Sequence, residues 1–251
     1  MATRAASPVR SRFFVRMALL ALLIALAGFM PTYWLPMISG RSFPPILHLH
    51  GAIFISWTLL FLWQSWLVAS GRTADHRQWG LVGIALATTM VISVLLAVEA
   101  SYVAAARIGM EPQARAFSSV SLLGISAFAG LIVVAIRNVR HPDVHRRLML
   151  ASFVPMLQAA VARWFQLALP PPPGAVGPPP VFVAIPPGLL TWIVFIGALA
   201  LHDRRVLGRI HPATKAGAAV TLAAILLPLL VGNSAIWAVI TQGFASLAPR
   251  G

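Results

Sequence analysis

The chain has 251 residues, of which 59% are hydrophobic and only 10% are charged, and its mean hydropathy is +0.85. Soluble domains carry about 25% charged residues, so this composition argues against a water-soluble fold. The net charge of +14 comes from short basic clusters between apolar runs, which argues against nucleic acid as a partner. The chain has no cysteine, which excludes disulfides, thiolate nucleophiles and cysteine-ligated metals.

Seven apolar runs are long enough to cross a bilayer. The first follows a basic segment, residues 1–16, and resembles a signal peptide, but Pro31 and Trp34 replace the small-residue cleavage site. We therefore expect an uncleaved first helix. The predicted fold class is all-α, a polytopic membrane helix bundle with one transmembrane domain over residues 17–240 and a tail over 241–251. The predicted spans cover about residues 17–36, 46–70, 79–106, 116–136, 148–169, 181–202 and 214–240.

A basic hinge, Arg137 to Met149, separates the fourth and fifth spans and sets the predicted topology. Its four arginines and two histidines are too densely charged for hydrocarbon, so we expect the hinge to lie at an aqueous face. Lys and Arg accumulate on the cytoplasmic side of membrane proteins. Seven spans place most of the nineteen Lys and Arg residues on one side, which predicts a cytoplasmic N-terminus and an outer C-terminus.

Two further stretches give expectations about packing. The fourth span is rich in serine and glycine, and because small residues let membrane helices approach closely, we expect it to be central. Residues 170–187 are dense in proline, so they form either a stiff spacer or a cover over an outer vestibule. We favour the spacer. In the seventh span, Pro228 is expected to kink the helix.

The hinge ends in His145-Arg146-Arg147-Leu148-Met149, and an earlier His50-Gly51 opens the second span. In these short motifs the chain resembles uncharacterised multi-pass inner-membrane proteins of bacteria, which are catalogued as domains of unknown function. The resemblance covers about residues 47–149 and implies the bacterial inner (plasma) membrane as the location. Some of those proteins are suspected of haem or redox roles because histidines recur at their helix ends, but the resemblance brings no established activity.

Histidines at the ends of the predicted helices are the first candidates for chemistry. Imidazole is a common ligand of haem iron, copper and zinc, and converging helices can bring several rings together. We take His76, His145, His202 and His211 as candidate cofactor ligands, and His141 with His145, four residues apart, as a candidate metal-binding pair. The alternative is that these residues are solvated and hydrogen-bond lipid phosphate or a helix end.

Polar residues in the outer parts of the spans form a second candidate site. A charged side chain in a membrane span needs a partner, so we expect Glu99 to pair with Arg163. With His50 beside it, this pair is predicted to line an outer-facing polar cavity, and Gln158, one turn below Arg163, belongs to the same outer polar cluster. The alternative is a structural ion pair, or snorkelling to the outer surface.

Three functions follow from these candidates. The favoured one is a haem- or metal-binding redox-type membrane protein that uses the helix-end histidines, with the cofactor left open. The second is a transporter or small-molecule-binding protein that uses the outer polar cluster. The third is a non-catalytic assembly subunit that binds partner membrane subunits or a second copy of itself. No catalytic residue is assigned, because only five acidic residues are present and no glycine-rich phosphate loop follows a strand.

Overall fold

The computed structural model of the protein describes residues 12–245. Within that range it contains no strand, and seven helices are long and apolar enough to cross a membrane. The predicted all-α, seven-span architecture of a multi-pass membrane protein is therefore confirmed. The predicted basic segment 1–16 and tail 241–251 fall partly outside the described residues. The seven helices, α1 to α7, are Phe13–Ile38, Pro45–Ala69, Thr73–Ala106, Glu111–Arg137, Pro142–Ala168, Val181–Leu207 and Pro212–Val231. Two short helices follow, α8 (Ala235–Ile240) and α9 (Gln242–Ala245).

Consecutive helices alternate in direction, so the bundle has two chemically different ends. We call one the basic end; it carries the turns 70–72, 138–141 and 208–211, and most of the Lys and Arg residues within 12–245 lie in or beside these turns. We call the other the proline end; it carries the loops 39–44, 107–110 and 169–180. The cytoplasmic location of the basic end stays a prediction from the distribution of Lys and Arg.

The first span is not a uniform α-helix. Pro31 has no backbone N–H, so the carbonyl of Ala27, four residues earlier, loses its usual helical partner. The indole Nε1 of Trp164 on α5 donates to that carbonyl instead, at 3.2 Å. The helix then widens into a π-helical turn over Met30–Trp34. The carbonyl that Pro31 leaves without a helical partner therefore accepts a hydrogen bond that joins α1 to α5.

The seventh predicted span, 214–240, is wrong at its outer end. Helix α7 ends at Val231, and Ser234 then caps α8 because its hydroxyl accepts the backbone N–H of Trp237 at 3.1 Å. The indole Nε1 of Trp237 donates to the carbonyl of Arg115 at 3.0 Å, so α8 packs against the start of α4. The capping residue Ser234 therefore divides into two helices a stretch that is apolar enough to form one longer span.

The fifth helix lies at the centre of the bundle. Buried residues make up 61% of the most apolar window of α5, against 22–39% in the other six helices. The fourth span, which we expect to be central, packs against α3, α5 and α7, but α5 is the more deeply buried of the two. Glycines on four helices (Gly28, Gly124, Gly188 and Gly217) each face an α5 residue (Ala160, Pro155, Gln158 and Ala151, respectively).

A buried ion pair joins α5 to α6 and α7 at the basic end. Arg147 donates from Nε and Nη2 to Oδ1 of Asp203, at 2.8 and 2.6 Å, and both side chains are fully buried. The other carboxylate oxygen, Oδ2, accepts the backbone N–H of His211 at 3.0 Å and the hydroxyl of Thr214 at 2.5 Å. Arg147 also donates from Nη1 to the carbonyl of Asp143 at 2.8 Å. Because the ion pair and these hydrogen bonds satisfy both groups, they offset the large desolvation penalty of burying the charges.

This network corrects the expectation that the whole hinge lies at an aqueous face. Arg147 points into the bundle, where Asp203 neutralises it. The local sequence explains how α7 reaches the carboxylate: Gly208 adopts a left-handed conformation (φ +71°) and ends α6. The chain then turns back so that the His211 N–H meets Asp203, and Pro212 begins α7.

Gly28 provides a test of the close packing of α1 on α5. A Cβ atom at Gly28 would lie 2.5 Å from the carbonyl oxygen of Ala160, which is backbone and cannot move away independently. We expect Gly28→Ala to destabilise the protein by about 1–3 kcal/mol, as overpacking typically does, and to lower the thermal midpoint in detergent. The matched control is Gly130→Ala, where a Cβ atom meets nothing within 4 Å; equal midpoints for the two variants would contradict this packing.

Candidate functional site

A cavity of about 280 Å³ lies toward the proline end, between α2, α3, α4 and α5. Most of its wall is apolar, with Phe54, Phe117 and Phe128 contributing aromatic rings. The polar side chains on the wall are His50, Ser101, Ser118, Ser121 and Gln158. Two members of the predicted outer polar cluster, His50 and Gln158, therefore share this cavity.

The hydrogen bonds around His50 fix which of its nitrogens carries a proton. Ser93 donates its single hydroxyl proton to the carbonyl of Met90 at 2.9 Å. With the hydroxyl proton used in this way, Nδ1–H of His50 is the donor in the 3.2 Å contact with the Ser93 hydroxyl. In the neutral ring this leaves Nε2 as a hydrogen-bond acceptor.

Gln158 offers a second acceptor on the wall of the cavity. Its side chain is buried, and its amide Nε2 donates to the carbonyl of Ala184 at 2.8 Å. Since that carbonyl can only accept, the amide orientation is determined, and Oε1 keeps its acceptor capacity. The residue thus links α5 to the start of α6 and presents an amide oxygen at the cavity.

The predicted Glu99–Arg163 ion pair is wrong. Among the ion pairs within residues 12–245 none joins these two residues, and neither residue lines the cavity. Arg163 donates to Gln166 at 3.2 Å, and its guanidinium lies 5.7 Å from the centre of the Phe29 ring on α1. The helical rotation of about 100° per residue turns Arg163 toward α1, whereas the preceding residue, Ala162, faces the cavity.

The proline-rich loop covers part of the cavity, so the expectation of a mere spacer is wrong. Pro178 lines both this cavity and a neighbouring one of about 300 Å³. The adjacent Gly177 has a φ of +81°, and a Cβ atom there would lie 3.2 Å from Met110. The loop therefore rests on the turn between α3 and α4, and the absence of a side chain at Gly177 permits that contact.

At the basic end, only two of the candidate cofactor ligands come together. The rings of His76 on α3 and His145 on α5 have their centres 6.3 Å apart, with their planes at 80°. His76 Nδ1 lies 3.0 Å from the side-chain oxygen of Gln64, and His145 Nδ1 lies 2.9 Å from the carbonyl of Ala135. This pair therefore lies where α2, α3, α4 and α5 meet.

The other helix-end histidines have separate roles. His202 stacks on Phe13 with ring centres 4.1 Å apart, and His141 is the exposed N-cap residue of α5. His211 caps α7, since its Nδ1 accepts the backbone N–H of Ala213 at 3.1 Å. Burial, followed by the nearby charge of Arg147, lowers the pKa of His211, which favours the neutral ring that this cap requires. The predicted four-histidine site is therefore not assembled, and within residues 12–245 no group of three or more potential metal ligands forms.

Comparison with known proteins gives no match: no family model fits the chain, and no curated protein or solved structure is significantly similar to it. The resemblance to uncharacterised bacterial inner-membrane proteins stays a prediction based on the His-Arg-Arg-Leu-Met and His-Gly motifs. The interpretation of the candidate sites therefore depends on the residues and geometry of this chain alone.

The cover formed by the proline-rich loop can be tested with a reporter thiol. The chain has no cysteine, so Ser121→Cys would place a single thiol on the cavity wall. In that background we expect Gly177→Ala to speed labelling by a small maleimide severalfold, because the added methyl group and the unfavourable φ displace the loop from Met110. Gly174→Ala is the matched control, with the same φ of +81° but no atom within 4 Å; an equal acceleration there would contradict a specific cover.

Proposed function

We propose that this protein is a membrane protein that binds a small, neutral, mostly apolar molecule in the cavity at the proline end. The observation that carries the proposal is the composition of the cavity wall: aromatic and aliphatic side chains, the oriented polar groups of His50 and Gln158, three serine hydroxyls, and no formal charge from Asp, Glu, Lys or Arg. A small-molecule site has this character, in which apolar surface supplies affinity and a few polar groups fix orientation.

The uncharged wall selects among ligand classes. An ion or a zwitterion would lose its hydration without gaining a charged partner, which is strongly unfavourable in a membrane interior. A neutral molecule has no such penalty. The cavity of about 280 Å³ is at the small end of the range for ligand pockets, so a compact ligand fits the space better than a whole lipid.

The polar groups narrow the ligand class further. His50 Nε2 and Gln158 Oε1 are acceptors, because His50 Nδ1 and Gln158 Nε2 are used in hydrogen bonds to the protein. They match a ligand that carries a hydroxyl donor, and the surrounding phenylalanine rings favour an apolar or aromatic body. Small alcohols, phenols and hydroquinones have this combination.

The setting proposed for this activity is the bacterial inner membrane with the basic end in the cytoplasm. The concentration of arginine at one end of the bundle supports that orientation. The cavity would then open toward the outer side, where the proline-rich loop covers it. A ligand that partitions into the bilayer could reach it without crossing the basic end.

A paired set of ligands tests the proposal with the full chain in nanodiscs. We expect small phenols to raise the thermal midpoint and to bind in calorimetry, and the corresponding methyl ethers, which lack the donor, to bind about threefold to tenfold more weakly. Mass spectrometry of the purified protein would identify any neutral molecule that it retains.

Two cavity variants and one control locate the binding. His50→Phe and Gln158→Leu each remove an acceptor and should weaken phenol binding by about threefold to tenfold. Gln166→Leu changes a glutamine of the same helix that does not line the cavity, and should leave binding unchanged. The proposal is wrong if no neutral molecule binds, or if all three variants bind phenols equally well.

A further inference from the structure

We propose that His76 and His145 together bind a copper ion through their Nε2 atoms. This site goes beyond the ligand cavity, because it lies at the opposite, basic end of the bundle. The two histidines belong to α3 and α5, and their ring centres are 6.3 Å apart. The fold brings together two imidazoles that are distant in sequence, and hydrogen bonds hold both of them.

The hydrogen bonds of His76 determine its protonated nitrogen. Gln64 donates from its amide Nε2 to the backbone carbonyl of His76 at 3.0 Å, which fixes the orientation of the amide. Its oxygen then lies 3.0 Å from Nδ1 of His76, so Nδ1 must be the donor. In the neutral ring, Nε2 is therefore unprotonated and able to bind a metal.

His145 has the same arrangement with a different partner. Its Nδ1 lies 2.9 Å from the carbonyl of Ala135 near the C-terminal end of α4. A carbonyl only accepts, so Nδ1 again carries the proton and Nε2 keeps its lone pair. Metal-binding histidines typically donate their second ring nitrogen to a carbonyl or carboxylate in this way, which orients the ring and raises its basicity.

The distance between the rings suits a shared ion. A metal–nitrogen bond of about 2.0–2.1 Å places each ring centre about 3.2 Å from the ion. Two such rings have centres about 5 Å apart at a tetrahedral angle and about 6.5 Å apart in a linear arrangement, by the same bond length. The separation of 6.3 Å lies inside this range, close to the linear limit.

Copper is the ion that this arrangement favours. Imidazole nitrogen suits copper, which heads the affinity order of the divalent first-row ions, and two imidazoles on opposite sides of the ion fit the tetragonal geometry of Cu(II). Zinc is almost always tetrahedral in proteins, and a tetrahedral angle would require ring centres about 5 Å apart. Arg77 is exposed to solvent, and Arg146 pairs with Asp143 and lies over the Phe14 ring, so solvent and the carboxylate reduce the repulsion that these charges exert on a bound ion.

The competing explanation is that these histidines only connect helices. Hydrogen bonds from His76 to Gln64 and from His145 to Ala135 join α3 to α2 and α5 to α4, which would be sufficient for a structural role. That explanation predicts reduced stability on substitution but no metal affinity. Direct metal binding by the folded protein distinguishes the two.

The experiment uses the full chain in detergent, purified with a tag that contains no histidine. Titration with Cu²⁺ should show one ion bound per chain, and Zn²⁺ should bind more weakly. His76→Ala and His145→Ala should each abolish this binding, whereas His141→Ala and His211→Ala, at histidines of the same end, should not. Gln64→Leu should weaken binding about tenfold, as loss of a hydrogen-bond partner to a ligand histidine does, and exposed Gln78→Leu should leave it unchanged.

The outcome is decisive even if an alanine variant fails to fold. In that case the Cu²⁺ electron paramagnetic resonance spectrum of the unaltered protein should show coupling to two imidazole nitrogens. The proposal is overturned if the folded protein binds no stoichiometric ion, if the copper spectrum shows no imidazole coupling, or if the four histidine variants bind equally.

Discussion

The buried Arg147–Asp203 ion pair is the interaction on which the arrangement of this bundle depends. A guanidinium group in a helix that is otherwise enclosed by apolar side chains can only be accommodated with a carboxylate in a fixed place. Asp203 occupies that place because Gly208 ends α6 shortly after it, and the same carboxylate accepts the first backbone N–H before α7 and the Thr214 hydroxyl. One neutralised charge therefore determines how α5, α6 and α7 meet at the basic end. Close packing then continues along α5, where glycines of four helices allow the backbones to approach.

The two candidate sites lie at opposite ends of the same four helices. α2, α3, α4 and α5 surround the neutral cavity near the proline end, and the same helices meet around His76 and His145 near the basic end. In both places Nδ1 of a histidine donates a hydrogen bond to a protein oxygen, which leaves Nε2 available to a ligand. Both sites thus depend on neutral imidazole as an acceptor. The charged residues that first suggest activity, Glu99 and Arg163, take no part in either.

The sequence predicts the helices well because each span must itself be apolar and long enough to cross the hydrocarbon core of a bilayer. It predicts contacts between side chains of different helices less well, since these depend on how each helix is rotated about its axis and on which helices are neighbours. Of the predicted outer polar cluster, His50 and Gln158 share a cavity, whereas Arg163 faces Phe29 and not Glu99. The Arg147–Asp203 pair is not apparent from the sequence, because Arg147 stands among the arginines of a hinge whose composition predicts exposure. A signal was available: Asp203 is one of only five acidic residues and sits on a span end, where a lone carboxylate calls for a partner.

A double-mutant cycle on Arg147 and Asp203 tests most directly whether a neutralised buried charge holds the bundle together. Arg147→Met leaves the buried Asp203 carboxylate without a charged partner, and Asp203→Asn leaves Arg147 with only the exposed carboxylate of Asp143 at 3.0 Å. Each variant should lower the free energy of unfolding in detergent by about 3–5 kcal/mol. The double variant contains neither charge, so its loss should be smaller than the sum of the two single losses by about 1–3 kcal/mol. If the two losses simply add, or if each is no larger than that of Asp75→Asn in the exposed Arg72–Asp75 pair, then Arg147 and Asp203 do not act as a buried pair and the account of the fold is wrong.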